Sequence, residues 1–172
     1  MKTLAQLSTL GLIASAMVGC GAADASELDP SGGEVAAQER LGQVRNALGT
    51  CYGDTCTGRD PGTTGCETDA YTVASSSIMN GATAIGTIAL RFSPSCNAAW
   101  ARTSTTSGAY FLRAEITRDS PFSTSQAASP TAVSALRSPM IGVRSGSTMT
   151  AVGRIGPQYN FYPYTGNVSS RF

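Results

Sequence analysis

The sequence contains no histidine at any of its 172 positions. Histidine is the base of Ser-His-Asp and Cys-His sites, because its imidazole titrates near neutral pH. It is also a common ligand of catalytic zinc. Enzymes with Ser-His-Asp or Cys-His sites are therefore excluded, and a catalytic zinc would have only cysteine and carboxylate ligands, which is uncommon. Any acid–base chemistry in this protein would have to depend on carboxylates, assisted by tyrosine or arginine.

Lysine is nearly absent as well, since Lys2 is the only one in the chain. Pyridoxal Schiff bases and Ser-Lys dyads require a lysine in the mature protein. Beyond residue 19 the chain has eleven arginines and eleven acidic residues, so its net charge is near zero. Nucleic-acid binding requires a basic surface that displaces counterions. We therefore expect no cofactor and no nucleic-acid partner.

The first residues have the pattern of a bacterial export signal. Lys2 supplies a positive charge, and the apolar run over 10–18 is shorter than the ~20 residues that span a bilayer. Residues 17–20 read MVGC and resemble the lipobox of bacterial lipoproteins, in which the cysteine is lipidated. The sequence predicts a signal peptide over 1–19, lipidation of Cys20 and an extracytoplasmic protein anchored to the cell-envelope membrane. Without lipidation, the protein would be secreted.

A tether and a helix are predicted to follow the anchor. Residues 20–33 are small, polar and acidic, which is typical of a flexible tether. Ser31 and Glu34 have the spacing of a capping box. Apolar residues then recur at helical spacing, so we predict an amphipathic helix over 34–49.

Periodicity beyond residue 50 predicts strands. Residues 87–92 and 110–118 alternate between apolar and polar, as half-buried strands do. Residues 69–77 fit either a short helix or a strand. The predicted fold is mainly β: a small disulfide-stapled antiparallel sheet or barrel-like domain over 50–157, preceded by the one short helix.

The C-terminal third shows further signals. Residues 140–144 and 148–155 flank a Ser-Gly-Ser turn around Gly146, which predicts a hairpin. Residues 120–132 are rich in Ser, Thr, Ala and Pro and are predicted to be a loop. The tail over 158–172 carries five aromatic residues and forms either a final strand or an exposed aromatic segment.

Four cysteines, Cys51, Cys56, Cys66 and Cys96, follow the predicted leader. An even number in an exported protein predicts two disulfides, whereas intervals of 4, 9 and 29 residues do not match the paired spacing of zinc sites. The entropy that a disulfide removes from the unfolded chain corresponds to a stabilisation of roughly 2.2 kcal/mol for a six-residue loop and roughly 3.7 kcal/mol for a 31-residue loop. The other two possible pairings give similar totals, so this entropy does not decide between the three. We favour Cys51–Cys56 with Cys66–Cys96, which would clip a turn-rich loop and join it to the end of strand 87–92.

Short motifs surround these cysteines. They read CYGDTCTGRDP (51–61), GC (65–66), DA (69–70), TVA (72–74), LRFSPSC (90–96), AAWAR (98–102) and PMI (139–141). Together they resemble an uncharacterised family of secreted bacterial domains that is common in actinomycetes. The resemblance implies a small extracellular β domain with disulfides, and it implies no activity, because the family has none assigned.

Asp54, Asp60, Glu67 and Asp69 cluster within sixteen residues. Calcium prefers such oxygen ligands, and a glycosidase would need two carboxyl groups ~5–9.5 Å apart. We favour turn chemistry instead, because Asp before Pro-Gly is typical of a turn. We therefore expect no metal.

Arg91 and Arg102 lie beside apolar strand residues, where an unpaired guanidinium is costly. We predict that a loop carboxylate, Asp60 first and Asp69 second, pairs with one of these arginines and braces the loop.

Trp100, Tyr110 and Phe111 could form a sugar-stacking surface, although we favour a core tryptophan packed on a disulfide. The hypothesis that fits best is a non-catalytic cell-surface or envelope module that binds a glycan, peptidoglycan or a protein. The alternatives are a small carboxylate-dependent hydrolase, or a protease inhibitor that presents loop 57–65.

Overall fold

A computed structural model describes residues 50–172. The predicted signal peptide, Cys20, the tether and the helix over 34–49 lie outside these residues. The described part begins with a 3₁₀ turn, Gly53–Cys56, and continues in nine strands. The strands are β1 (Tyr71–Asn80), β2 (Thr83–Ser93), β3 (Ala98–Thr105), β4 (Phe111–Arg118), β5 (Ser123–Ala128), β6 (Ala135–Arg137), β7 (Ile141–Gly142), β8 (Thr148–Gly156) and β9 (Tyr164–Arg171).

The strands form two antiparallel sheets. The first has the order β1-β2-β3-β6, and the short strand β7 also pairs with β3. The second has the order β5-β4-β8-β9. The outer strand β1 shifts register against β2 at two places, between Thr72 and Ala74 and between Ile78 and Met79.

The main hydrophobic core lies between the two sheets. It combines inward-facing residues of the first sheet, such as Ile88 and Leu90, with those of the second, such as Leu112 and Ile116. Strand β4 shows why these residues meet, because every second residue along it is buried. A strand with this period of two buries one face and leaves the other toward solvent.

The mainly β fold with antiparallel sheets and disulfides is confirmed. The predicted strands over 87–92 and 110–118 are present as β2 and β4. The barrel-like alternative is wrong, because the strands remain in two separate sheets. The segment over 69–77, for which a helix or a strand was expected, belongs mostly to strand β1.

Two expectations for the C-terminal third are corrected. The predicted loop over 120–132 contains β5, which pairs with β4 at six successive positions. Its small polar side chains carry no apolar signal, but its backbone completes an edge of the sheet. The predicted hairpin around Gly146 is not formed, because β7 pairs with β3 in the first sheet and β8 pairs with β4 and β9 in the second.

Gly146 still marks a sharp turn. Its φ of 80° lies in the left-handed region that glycine adopts without steric cost, and the chain crosses there from one sheet to the other. Of the two possibilities for the aromatic tail, the structure forms the final strand, because β9 pairs with β8 from Thr148 to Ile155.

None of the helical structure within residues 50–172 has the length and apolar character that crossing a membrane requires.

Candidate functional site

The two disulfides form one covalent core at the end of the first sheet. Cys51 is bonded to Cys56, and Cys66 is bonded to Cys96. This is the pairing that we favoured from the sequence. Trp100 is fully buried and packs in the same cluster as three of these cysteines. The turn-rich segment therefore lacks an aliphatic core of its own and is held by sulfur and one indole.

The sugar-stacking surface proposed for Trp100, Tyr110 and Phe111 is not formed, because Trp100 has no exposed surface. Tyr110 packs against the other hydrophobic cluster, between the sheets. Phe111 is partly exposed, and its ring centroid lies 6.4 Å from that of Tyr159 with the planes tilted by 59°. These three side chains therefore do not share one flat platform, and Trp100 has the core role that we favoured.

An ion pair between a buried arginine and an exposed aspartate joins the 3₁₀ turn to the second sheet. The side chain of Arg118 is 5% exposed, and its Nη1 lies 2.6 Å from Asp54 Oδ1. Arg118 also donates hydrogen bonds to the carbonyl oxygens of Pro121 and Gly142. Arg144, which is more exposed, binds the other oxygen of Asp54. Hydrogen bonds from Arg118 and then from Arg144 hold the pKa of Asp54 below its ordinary value, so this carboxylate stays ionised and structural.

A second group of charges lies on the loop between the disulfides. Arg137 Nε lies 3.1 Å from Asp60 Oδ2, and its Nη1 lies 2.6 Å from Glu67 Oε2. Asp60 Oδ1 also accepts hydrogen bonds from the backbone N–H groups of Gly62 and Thr63. Burial raises the pKa of Asp60, but the hydrogen bonds from Thr63, Arg137 and Gly62 outweigh it, so the pKa is lowered.

The prediction that Asp60 or Asp69 pairs with Arg91 or Arg102 is therefore wrong. The partner of Asp60 is Arg137. Arg91 donates from Nη2 to a backbone carbonyl oxygen, that of residue 70, at 2.7 Å. A guanidinium on a half-buried strand has found a partner, as expected, but the partner is a carbonyl group instead of a carboxylate.

Asp69 has a bracing role through different groups. Its carboxylate accepts hydrogen bonds from Ser93 Oγ at 2.6 Å and from the backbone N–H of Ser95 at 2.7 Å. Burial raises the pKa of Asp69, and these hydrogen bonds more than offset that effect, so its pKa is lowered. Asp69 thus fastens the end of the turn-rich segment to the end of β2, immediately before Cys96.

The four clustered acids do not converge on a common point. Asp54 binds two arginines, Asp60 and Glu67 share Arg137, and Asp69 binds serine groups. Along residues 50–172, the only close group of three or more His, Cys, Asp or Glu side chains is formed by the four cysteines. The arrangement therefore gives no support to a calcium site built from these carboxylates.

A cleft of about 430 Å³ opens beside the second charge group. It is lined by Asp60, Glu67, Arg102, Ala135, Leu136 and Arg137. Arg102 and Arg137 are directly opposite each other on paired strands β3 and β6, an arrangement that like charges normally disfavour. Asp60 and Glu67 both bind Arg137, whereas Arg102 makes no ion pair or side-chain hydrogen bond to any of residues 50–172. The four charges that line the cleft sum to zero, and Arg102 is the guanidinium among them without a direct carboxylate partner.

Sequence reasoning missed three arginines, Arg118, Arg137 and Arg144. A signal existed for Arg118, because the alternation over 110–118 places it on the same face as the buried apolar residues. An arginine there must find a carboxylate or carbonyl partner. Arg137 gave no such signal, since β6 is only three residues long.

Comparison with known proteins adds a family but no function. The family model described as a protein of unknown function, DUF2690, matches residues 54–152, more than half of the chain. Neither the curated proteins nor the solved structures contain a match.

Proposed function

The chain belongs to the DUF2690 family of proteins of unknown function, and we propose that its domain is a non-catalytic binding module of the bacterial cell envelope. The observation that carries this proposal is the cleft beside Arg102. It combines the guanidinium of Arg102, which has no direct partner, with an arginine that two carboxylates bind and with the small apolar surface of Ala135 and Leu136. Such a mixture suits recognition of a polar ligand.

The chemistry of the cleft favours a ligand that carries a carboxylate. A guanidinium binds a carboxylate through two parallel hydrogen bonds, which gives both strength and orientation. Asp60 and Glu67 also line the cleft, and their carboxylate oxygens can accept hydrogen bonds from an amine or hydroxyl group of a ligand. Of a neutral glycan, peptidoglycan and a protein, peptidoglycan fits best, because its peptides carry both carboxylate and amine groups.

A carboxylate-dependent hydrolase is less well supported. Its general acid needs a raised pKa, whereas Asp60 in the cleft has a lowered pKa. The protease-inhibitor alternative also gains no support, because most of segment 57–65 runs through turns and does not form an extended binding loop.

We expect Arg102→Gln to weaken binding to purified peptidoglycan by about tenfold or more, since a hydrogen bond to a charged group contributes ~1.5–3 kcal/mol. Sedimentation of the protein with insoluble peptidoglycan measures this. The side chain of Arg102 makes no ion pair or hydrogen bond within residues 50–172 and lies opposite another arginine, so the melting temperature should not fall. Arg171→Gln is the matched control, because Arg171 is an exposed strand arginine of the other sheet and should bind as wild type does. Equal binding by both variants would contradict the proposal.

The proposed location follows from the export signal and the lipobox, and the two disulfides are consistent with an oxidising compartment. We expect Cys20→Ala to move the protein from the membrane fraction to the soluble fraction. Fractionation followed by immunoblotting measures this shift, and Cys20→Ala should retain the thermal stability of the folded domain. Membrane association that persists in Cys20→Ala would rule out the lipid anchor.

A further inference from the structure

The two disulfides lie against each other. The sulfur atoms of Cys51, Cys56, Cys66 and Cys96 are buried and all lie within 4.8 Å of one another. Between the two bonds, Cys51 Sγ is 4.0 Å from Cys66 Sγ. The four sulfurs therefore form one compact group, although the intervals along the chain gave no sign of it.

This group has nearly the size of a zinc tetrathiolate. Zinc–sulfur bonds of ~2.3 Å in a tetrahedron place the sulfurs ~3.8 Å apart. Reduction would break both S–S bonds and free the bonded pairs to move to the separation that a zinc tetrathiolate requires. The unbonded pairs, at no more than 4.8 Å, need only small adjustments. None of the four cysteines lies within a strand, so rotation of their side chains can change the sulfur positions without breaking strand pairing.

The surroundings also suit a metal bound to thiolates. Thr64 Oγ1 donates a hydrogen bond to Cys66 Sγ at 3.1 Å, and hydrogen bonds of this kind orient metal ligands and tune their basicity. Trp100 and Met140 are fully buried beside the sulfurs. A site that is closed to solvent and offers four sulfur ligands is typical of structural zinc.

We propose that these four cysteines bind one Zn²⁺ when the disulfides are reduced. Two dithiol reductants deliver four electrons, both S–S bonds break, and each dithiol becomes a disulfide. The four resulting thiols release four protons as Zn²⁺ binds. In the reverse direction, two molecules of the oxidised dithiol accept the four electrons and four protons, both S–S bonds of the protein form again and Zn²⁺ is released. The same core is then closed either by two disulfides or by one metal ion, and this inference does not depend on the ligand of the cleft.

The test uses the full chain with Cys20→Ser, which removes the fifth cysteine. The protein is reduced with a dithiol, freed of reductant without oxygen, and titrated with Zn²⁺ or with Co²⁺ as a coloured substitute. We expect one metal ion per reduced chain, a thiolate-to-cobalt absorption band and no binding by the oxidised chain. Trp100 is the only tryptophan, so its emission should report a buried indole in the zinc form.

Cys66→Ser and Cys51→Ser, each in the Cys20→Ser background, provide the decisive comparison. Each removes one sulfur ligand, and each should abolish stoichiometric binding at zinc concentrations that saturate the parent. The chain that retains Cys20 should bind the same amount of zinc as the Cys20→Ser parent. A reduced chain that binds no metal would overturn the proposal. Binding that survives loss of Cys66 would overturn it too, because the metal would then be held elsewhere.

Discussion

Replacing Cys66 and Cys96 together by alanine is expected to destabilise the domain by ~3.7 kcal/mol, against ~2.2 kcal/mol for replacing Cys51 and Cys56. The difference arises because the first bond closes a loop of 31 residues and the second a loop of six. A longer loop restricts the unfolded chain more, so its loss costs more. Urea denaturation of the two double variants under oxidising conditions measures both values.

The burial of Cys66 and Cys96 also predicts that loss of their disulfide costs more stability. Both are fully buried beside Trp100, whereas Cys51 is partly exposed. Removing the longer bridge therefore also loosens the packing around the indole. If the Cys51/Cys56 variant were the less stable of the two, neither loop entropy nor burial could be the main source of the stability that each disulfide provides.

The second large effect is expected for Asp54→Ala. This change leaves the guanidinium of Arg118, with a side chain only 5% exposed, without a carboxylate. Removing one partner of a buried ion pair costs ~3–5 kcal/mol, and we expect a value near the lower limit because Asp54 itself is 38% exposed. Urea denaturation at neutral pH measures the loss.

Arg144→Ala is the matched control, because Arg144 contacts the same carboxylate from an exposed position. An exposed ion pair contributes ~0.2–1 kcal/mol, so this variant should remain close to wild type. A large loss in Arg144→Ala would mean that burial does not distinguish the two arginines. A small loss in Asp54→Ala would mean that carbonyl groups alone satisfy Arg118.

The stability of the protein at acidic pH should also depend on the ion pairs of Asp54. The pKa of Asp54 is lowered from 3.8 by hydrogen bonds from Arg118 and then Arg144. A carboxyl whose pKa is lower in the folded state binds fewer protons there than in the unfolded chain. Its stabilising effect is therefore present above pH 3.8 and is lost as the pH falls through the folded value. Between pH 3.8 and the lower folded value, the free energy of unfolding should fall less steeply with decreasing pH in Asp54→Ala than in wild type.

The parts of the fold that could be predicted are those with a strong local signal. Strands β2 and β4 bury alternate residues, so apolar periodicity identified them. The pairing of Cys66 with Cys96 followed from placing a turn-rich loop beside a strand end. In both strands and in this disulfide, the residues concerned show a recognisable pattern within a short stretch of sequence.

The parts that could not be predicted depend on pairing across the chain. Strand β5 forms from small polar residues because β4 offers an unpaired edge, and no pattern within Ser123–Ala128 indicates that. The crossing near Gly146 resembles a hairpin locally, and only the choice of partner strands distinguishes the two. The link between Asp60 and Arg137 spans 77 residues, a distance over which sequence alone does not restrict the partner.

The two register shifts in β1 affect how copies of the protein can meet. An outer strand with a regular row of free N–H and C=O groups can recruit the same strand of another molecule and start aggregation. At Thr72/Ala74 and Ile78/Met79 that row is interrupted, and irregularities of this type twist a strand and break its pairing surface. If Cys20 carries the proposed lipid anchor, many copies would be concentrated in a plane, and the irregular edge of β1 would help to keep them apart.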